Sequence, residues 1–306
     1  MSKKIILTGA TGLIGQKLHT KLVEQGDEVT IFTRMGNGLK RNILNNTEII
    51  KWNYNNPEEW KNNLEGKDAI IHLAGSNLAA RRWNDKYKRE IYNSRILSTR
   101  NIVNAIKSSK EKPELLLTTS AVGIYGDRGD ELLAEDSKNG NDFLAEVCND
   151  WENEAAKVEE SEVRRISLRI GPVLSKNGGA LKRILIPFKL FVGGPLGNGN
   201  QWFPWIHEED IVSIFIHALN EKSLRGSVNA SSPTPVTMKQ FANTLGKVMK
   251  RPAFFPVPKF IIKLVAGEIA DSLLSSQRIS VAKLLTSGFK FRFEDLEKAL
   301  KDLIEK

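Results

Sequence analysis

Short apolar runs alternate with longer amphipathic stretches over the first two-thirds of the chain. Six of these runs are rich in β-branched residues and have the length of buried strands, with helix-length segments between most of them: KKIILTG, EVTIFTR, TEIIKWN, DAIIHLAG, ELLLTTS and RRISLRIG. Strands that alternate with helices form parallel sheets, because each helix returns the chain to the same edge. The pattern therefore predicts an α/β fold with a doubly wound parallel sheet.

The pattern changes near residue 176. A segment rich in glycine and proline, residues 176–207, is predicted to leave the sheet as a partly helical excursion toward the substrate cleft. A helix, HEEDIVSIFIHALNE, and a strand-like GSVNASS follow, and from Pro233 onward the chain has a mostly helical pattern. We therefore predict one sheet domain over residues 1–232 and a small C-terminal domain, mostly helical and facing substrate, over residues 233–306.

The composition excludes several classes of protein. With 306 residues and 41% hydrophobic content, the chain can bury a large core. Its single cysteine, Cys148, permits no internal disulfide, and the N-terminal sequence does not have the pattern of a signal peptide, so we expect a cytoplasmic protein. The longest apolar stretches, IVSIFIHAL and FIIKLVAG, are far shorter than the roughly 20 residues that span a bilayer, so we expect no membrane partner.

The formal net charge of +9 does not by itself indicate a nucleic-acid partner. Lysines alternate with glutamates in stretches such as SSKEKPE and EKALKDLIEK, which is typical of a solvated surface. We therefore expect no nucleic-acid binding. The four histidines, His19, His72, His207 and His217, are dispersed and the cysteine is alone, so the sequence predicts no metal site.

A glycine motif opens the chain. In IILTGATGLIGQKLHTKLVEQG, Gly9, Gly12 and Gly15 lie between a predicted buried strand and an amphipathic helix. Glycines at this spacing allow a tight turn and the close approach of a pyrophosphate to free backbone N–H groups at the start of the helix. Because a second strand follows at the right distance, the motif predicts dinucleotide binding in a Rossmann-type domain rather than a purely structural turn.

The second predicted strand ends in IFTR, with Thr33 and Arg34 in the place where an NAD enzyme presents an acid to the ribose hydroxyls. An acid there would repel a 2′-phosphate, whereas Arg34 can pair with one. This residue indicates NADP as the cofactor. The alternative is an arginine that is merely solvated after a strand.

Further motifs accompany the glycine turn: HLAG (72–75), SRILSTRN (94–101), TTSAVGIYG (118–126), LRIGPVL (168–174) and PWIHEEDI (204–211). With them the chain resembles an extended short-chain dehydrogenase/reductase of the nucleotide-sugar epimerase type. RRW, EVCNDWE and GGPLGNGNQWFPWIH resemble its YfcH-like branch, which has its own small C-terminal domain. The resemblance implies that the cofactor is bound by Gly9, Thr11, Gly12, Leu13, Ile14, Gly15, Arg34, Leu73, Ala74, Gly75 and Gly171.

The helix predicted in NDFLAEVCNDWENEA, residues 141–155, has neither a tyrosine nor a lysine. In the family this helix carries a Tyr-x-x-x-Lys pair that relays a proton and holds the nicotinamide ribose. The slot falls on Leu144 and Cys148, or one residue earlier on Phe143 and Val147. Neither alternative supplies a phenol or an ammonium group, so the helix is predicted to pack as a core element. Its apolar stripe would consist of Phe143, Val147 and Trp151, and the neighbouring stripe of Leu144, Cys148 and Glu152.

Three other residues are candidates for the chemistry. Ser120, with Thr119 as an adjacent alternative, corresponds to the hydroxyl that polarises the reacting group in the family. Tyr125, after the serine loop, is a candidate proton donor. Arg95 stands where the family pattern has an asparagine, and would suit a carboxylate or phosphate; the alternative is a surface arginine on an amphipathic helix.

Several large side chains flank the predicted cleft. Aromatic residues beside glycine-rich loops can stack on a ring or a sugar, but at such junctions they more often serve packing. For His207, we predict a structural role before the following helix. The residues concerned are Arg82, Trp83, Trp202, Trp205 and His207.

Two hypotheses follow. The first is an NADP-dependent oxidoreductase or epimerase-like enzyme that acts on a small, anionic or sugar-like molecule without the Tyr-x-x-x-Lys pair, as a monomer or homodimer. Its catalytic residues would be Ser120, Tyr125 and Arg95. The second is a non-catalytic NADP-binding protein that reports the state of the cofactor to a partner. Loss of the acid–base pair favours the second, and the retained serine loop with Arg95 favours the first.

Overall fold

The computed structural model describes residues 2–34 and 46–305, and a parallel sheet lies at its centre. The strands, in chain order, are β1 (Lys4–Thr8), β2 (Glu28–Thr33), β3 (Thr47–Lys51), β4 (Ala69–His72), β5 (Leu115–Ala121), β6 (Leu132–Leu133), β7 (Arg164–Ile170), β8 (Val173–Ser175), β9 (Trp202–Phe203), β10 (Ile206–His207), β11 (Gly226–Ala230), β12 (Val236–Thr237) and β13 (Arg278–Ile279).

The central sheet has seven strands in the order β11-β7-β5-β4-β1-β2-β3, and every neighbouring pair is parallel. The chain builds outward from β1 in one direction, then returns to β4 on the other side of β1. A cleft forms at such a reversal, outside the carboxyl ends of the strands, and is where doubly wound sheets bind ligands. The predicted Rossmann-type α/β fold is confirmed, and all seven sheet strands coincide with strand-like segments of the sequence.

Helices cover both faces of the sheet. They are α1 (Leu13–Glu24), α2 (Asp85–Ser108), α3 (Phe143–Ala156), α4 (Gly179–Lys189), α5 (Glu208–Asn220), α6 (Met238–Met249), α7 (Lys259–Ala266), α8 (Ile269–Leu274), α9 (Ala282–Thr286) and α10 (Leu296–Glu305). Helices α1 and α5 pack together on one face, and α2 and α3 on the other. Because side chains alternate along a strand, Leu115 and Leu117 of β5 join the core under α1 and α5, while Leu116 joins the core under α2.

A second core lies beside the sheet domain. It joins residues of the glycine-rich excursion, such as Leu181, Phe188 and Trp205, to Phe241 of α6 and Leu300 of α10. Short strand pairs also tie the two regions together, since β12 pairs with β9 and β13 pairs with β6. The excursion therefore packs with the C-terminal helices. The domain boundary at residue 232 stays a prediction.

In the part of the chain that the structure describes, no helix combines the length and the apolar character needed to cross a bilayer.

A candidate cofactor and substrate cleft

The glycine turn has the geometry of a pyrophosphate cradle. Gly9 has a φ of +70°, and a Cβ there would lie 2.8 Å from the carbonyl carbon of Leu73. A Cβ on Gly15 would lie 2.2 Å from the Gly9 carbonyl oxygen, so α1 can start this close to β1 only with glycine.

The start of α1 is open to an anion. Gly12 is its N-cap residue and offers no side chain, and the first turn contains no acidic residue. The first N–H groups of a helix have no partner within the helix and attract negative charge. Leu13, Ile14 and Gly15 are therefore placed to bind a pyrophosphate through their backbone N–H groups, and the site fits a dinucleotide.

Arg34 follows the last residue of β2 and is exposed. Because β2 pairs in parallel with β1, with Thr8 opposite Phe32, Arg34 lies at the same sheet edge as the glycine turn. This is where the ribose of the adenosine half lies when the pyrophosphate is at the start of α1.

The loop after β4 is fixed by a buried chain of hydrogen bonds. The Thr8 hydroxyl oxygen accepts from the N–H groups of Leu73 and Ala74, both at 3.1 Å, and lies 2.7 Å from Nδ1 of His72. Because both acceptor positions of Thr8 are used, its proton is donated to His72 Nδ1. The Ser98 hydroxyl donates to the Ser94 carbonyl at 2.7 Å, so at 3.0 Å it accepts from His72 Nε2.

His72 is therefore neutral and carries its proton on Nε2. Complete burial, with a smaller contribution from the charge of Arg95, lowers the pKa of His72 to about 3. The ring connects β1, β4 and α2, and holds Leu73 to Gly75 at the sheet edge.

Arg95 of α2 places a cation beside this loop. Its guanidinium donates to the carbonyls of Ser76 and Ile91, each at 3.1 Å, and lies 5.3 Å from the centre of the Trp151 ring. It forms no salt bridge with any carboxylate of the described residues, and burial lowers its pKa. Gly75 makes room for it, since a Cβ there would lie 3.1 Å from the Arg95 Cζ.

Helix α3 presents its two stripes in different directions. Asp142 caps the helix by accepting from the N–H groups of Leu144 and Ala145. Val147 and Trp151 pack with Ile96 of α2, and Phe143 packs against them. Leu144, Cys148 and Glu152 face the end of β5, where Leu144 approaches Gly123 and Glu152 contacts Ser120.

Of the two positions that align with the family lysine, Cys148 faces the end of β5, whereas Val147 packs against Ile96 of α2. Cys148 is buried, and desolvation raises the pKa of its thiol to about 12. A thiol in this state is neither a base nor a nucleophile at neutral pH. The positive charge of Arg95 acts in the opposite sense and favours the thiolate, so the guanidinium of α2 and the thiol of α3 interact electrostatically.

Ser120 and Tyr125 belong to a buried polar network. Glu152 and Arg169 form a bidentate ion pair, Nε to Oε1 and Nη2 to Oε2, both at 2.9 Å. Ser120 and Ser227 each donate to the Glu152 carboxylate at 2.6 Å. The Tyr125 hydroxyl accepts from Arg169 at 2.8 Å and donates to Asn229 at 2.7 Å.

The network gives no support to the candidate roles of Ser120 and Tyr125. The Ser120 proton is already donated to a carboxylate, and Tyr125 is completely buried. Desolvation raises the pKa of Tyr125, which weakens it further as an acid. Thr119, on the opposite face of β5 from Ser120, is only partly buried, and its hydroxyl lies 3.4 Å from the His72 carbonyl.

Most of the remaining candidates pack in the core, cap a helix or bond a nearby group. A Cβ on Gly171 would lie 1.8 Å from the Pro204 carbonyl oxygen, so this glycine permits a close approach of two backbone segments. His207 caps α5 by accepting from the N–H of Glu209 at 3.1 Å. Trp205 is in the second core, whereas the Trp202 indole donates to Asp130 at 2.6 Å. Arg82 and Trp83 each donate to a backbone carbonyl.

Sequence reasoning did not find Arg169. The available signal was a charged residue at a position of β7 whose neighbours are apolar and buried, since such a charge requires a buried partner. The hydrogen bond between Ser120 and Glu152 was likewise not predicted from the sequence.

Two family models match the chain. The one described as NAD dependent epimerase/dehydratase family matches residues 5–230, and a Domain of unknown function (DUF1731) matches residues 257–303. Epimerase family protein YfhF of Bacillus subtilis is 37% identical, with 98% of this chain and 97% of that protein covered. The chloroplastic Epimerase family protein SDR39U1 homolog of Arabidopsis thaliana is 36% identical, over 98% of this chain and 86% of that protein.

Solved structures of epimerases also resemble this chain. The human epimerase family protein SDR39U1, isoform 2, crystallised with NADPH, superposes with a TM-score of 0.87 at 31% identity over 99% of each chain. The UDP-glucuronic acid 4-epimerase of Bacillus cereus, in complex with UDP-glucuronic acid and NAD, has a TM-score of 0.79 at 16% identity, over 99% of this chain and 98% of that one. The second likeness is one of fold alone.

The Tyr125 hydroxyl is predicted to stabilise the fold. Tyr125→Phe should lower the free energy of unfolding by about 1–3 kcal/mol, because it removes the buried hydroxyl that accepts from Arg169 Nη1 and donates to Asn229 Oδ1. Urea denaturation followed by circular dichroism measures the change. Tyr54→Phe is the control, since the Tyr54 phenol bonds no described residue; equal stability of the two variants would contradict the prediction.

His72 is predicted to make stability depend on pH. The unfolded histidine takes up a proton below its ordinary pKa of 6.5, whereas folded His72 stays neutral down to about 3, so stability falls as the pH falls below 6.5. Between pH 7 and pH 5, the wild-type protein should lose about 2 kcal/mol more than His72→Gln. Between pH 7 and pH 8, the stabilities of the wild-type protein and His72→Gln should change in parallel. Parallel changes in stability down to pH 5 would refute the prediction.

Proposed function

The chain belongs to the NAD dependent epimerase/dehydratase family, and from that premise we propose that it binds NADP(H) and transfers hydride to or from a small substrate. The family matches confirm the resemblance that GATGLIG, HLAG and PWIHEEDI indicated. The substrate class that we propose is an anionic or sugar-like carbonyl compound, or the corresponding alcohol. We propose the cytoplasm as the compartment, in keeping with a lone, buried cysteine.

The cofactor would lie along the carboxyl edge of the sheet. The N–H groups at the start of α1 would bind the pyrophosphate, and Arg34 would pair with the 2′-phosphate. The loop Leu73–Gly75, which Thr8 and His72 hold in place, would line the path toward the nicotinamide. When bound, NADPH supplies the hydride. The relative with 31% identity that was crystallised with NADPH supports this choice of cofactor.

The observation that carries the proposal is the position of Arg95. Its guanidinium packs against Trp151 of α3, donates to the Ser76 carbonyl and forms a salt bridge with no described carboxylate. We propose that it replaces the cation of the family lysine. Two of its N–H groups bond backbone carbonyls, so three remain for a ligand. A partly buried cation that is held by backbone groups is suited to stabilise negative charge as it develops on a substrate oxygen.

The reaction needs no phenol from the protein. With hydride supplied to the carbonyl carbon, the C=O π pair would pass to the oxygen, and Arg95 would stabilise the resulting negative charge. Water would then protonate that oxygen and leave as hydroxide, which would complete the alcohol. Thr119 is the hydroxyl of β5 that we propose to bond this oxygen, since it donates to the His72 carbonyl only at 3.4 Å, whereas Ser120 donates to a carboxylate at 2.6 Å.

One observation favours a second candidate, a non-catalytic NADP-binding protein. Leu144 and Cys148 stand in the acid–base slot, and the Cys148 thiol has a pKa of about 12. Neither residue can exchange a proton with substrate at neutral pH. Arg95 favours the enzyme, because a reporter of cofactor state has no need of an unneutralised cation beside the nicotinamide position.

Arg34→Ala tests the cofactor. The wild-type protein should bind NADPH more tightly than NADH, and the substitution should weaken NADPH binding by roughly tenfold or more without changing NADH binding. Fluorescence titration measures both affinities. Arg225→Ala is the matched control, because this exposed arginine precedes β11 at the opposite edge of the sheet. Equal affinity of the wild-type protein for the two cofactors would refute the assignment.

Arg95→Gln tests the chemistry. NADPH oxidation is first followed against carbonyl compounds and nucleotide sugars, and Gly12→Asp, which places a carboxylate at the pyrophosphate cradle, should abolish it. In the presence of a substrate, Arg95→Gln should lower kcat by roughly a hundredfold, whereas Arg100→Gln on the same helix should not. Oxidation that is unaffected by Arg95→Gln removes Arg95 from the mechanism. Failure of every compound favours the non-catalytic protein.

A further inference from the structure

The described part of the chain exposes thirteen large hydrophobic side chains, and eleven of them lie within residues 186–192 and 254–273. Phe254, Phe260, Leu264 and Val265 are each 71% to 75% exposed. Single exposed apolar residues are ordinary, but a contiguous apolar patch of this size is typical of a surface that binds another molecule or a membrane.

The two segments form one surface. The Phe255 N–H donates to the Gly193 carbonyl at 3.2 Å, and the Val257 N–H donates to the Pro195 carbonyl at 2.9 Å. The Arg251 guanidinium lies 4.2 Å from the centre of the Phe191 ring. We call residues 182–192 and 250–265 the basic apolar surface.

The charge of this surface has one sign. The two segments contain seven lysine and arginine residues, all exposed, and no aspartate or glutamate. The same bias extends well beyond them, because residues 163–207 and 222–267 contain no acidic residue at all. Among the described residues, Lys263 of this surface pairs with Asp271 of α8 at 2.9 Å, and the other six cations form no salt bridge.

Helix α7 shows how the two properties combine. Ile262 is the only residue that it buries, so its apolar side chains at Phe260, Leu264 and Val265 project outward between Lys259 and Lys263. Apolar side chains flanked by lysines on a surface helix are typical of elements that lie in the interface of a bilayer. The side chains enter the acyl region while the ammonium groups meet anionic headgroups.

We propose that the basic apolar surface docks the protein on the face of a membrane that contains anionic lipid. A second copy of the chain fits less well, because a two-fold contact would bring seven cations against seven of the same sign. A nucleic acid would complement the charge but leave Leu190, Leu264 and Val265 without a stacking partner. The expectation of no membrane partner rested on the absence of a spanning segment, and docking of this kind requires none.

The surface adjoins the loop that leads from β4 to α2. Arg82 donates to the Leu264 carbonyl at 3.0 Å, and Arg183 of α4 donates to the Ala79 carbonyl at 2.7 Å. The same loop contains Ser76, whose carbonyl holds Arg95. Docking would therefore bring the bilayer to the side of the cleft from which α4 and α7 extend.

Sedimentation with vesicles tests the proposal on the full chain. The protein should bind vesicles of equal parts phosphatidylcholine and phosphatidylserine, bind pure phosphatidylcholine at least about tenfold more weakly, and lose affinity as salt rises. Leu264→Asp and Lys189→Glu should each lower the affinity by about tenfold. Leu285→Asp, an exposed leucine on α9, and Lys222→Glu are the matched controls and should leave it unchanged.

Three outcomes overturn the proposal. One is no binding to the anionic vesicles at low salt. Another is an equal loss of binding in the control variants. The third is a wild-type dimer in light scattering that Leu264→Asp dissociates, without vesicle binding by either protein, which would identify a second copy as the occupant. Circular dichroism of each variant separates loss of docking from loss of fold, and NADPH titration shows whether the cofactor site is intact.

Discussion

The ion pair between Glu152 and Arg169 constrains the arrangement around it. Two opposite charges are stable in a core only when their remaining donors and acceptors are also bonded, since the loss of hydration otherwise exceeds the attraction. Ser120, Tyr125 and Ser227 provide those bonds, and they come from β5, the turn after it, and β11. The pair thus joins α3 to three adjacent parts of the sheet. It also explains why a serine and a tyrosine that resemble catalytic residues are turned inward.

The sheet could be predicted from the sequence because each strand carries a local signal. Apolar runs, the spacing of glycines and the change of composition near residue 176 are all visible within short stretches of sequence. The direction in which a hydroxyl points is not determined by such local signals. Ser120 and Leu116 lie on the same face of β5, so strict alternation could have placed Ser120 under α3, but only Glu152 and Arg169, which lie on other elements, determine what it bonds.

The proposed mechanism takes its cation from α2 rather than from α3. Helix α3 contains no lysine, whereas Arg95 of α2 is held by two backbone carbonyls. Sequence position alone shows that the asparagine is replaced. It cannot show that Arg95 lies over the ring of Trp151, because that depends on the packing of α2 against α3.

The second core has a consequence for how the chain reaches its native state. Its first half comes from residues 174–205 and its second from residues 238–303, with α5 and β11 between them. During synthesis, Leu181, Phe188 and Trp205 lack the apolar partners that α6 and α10 provide until those helices leave the ribosome. Contacts of this sequence separation form late and leave apolar surface open meanwhile. The C-terminal helices thus complete the second core. A chain that stops after the sheet would leave the apolar residues of that core exposed to chaperones.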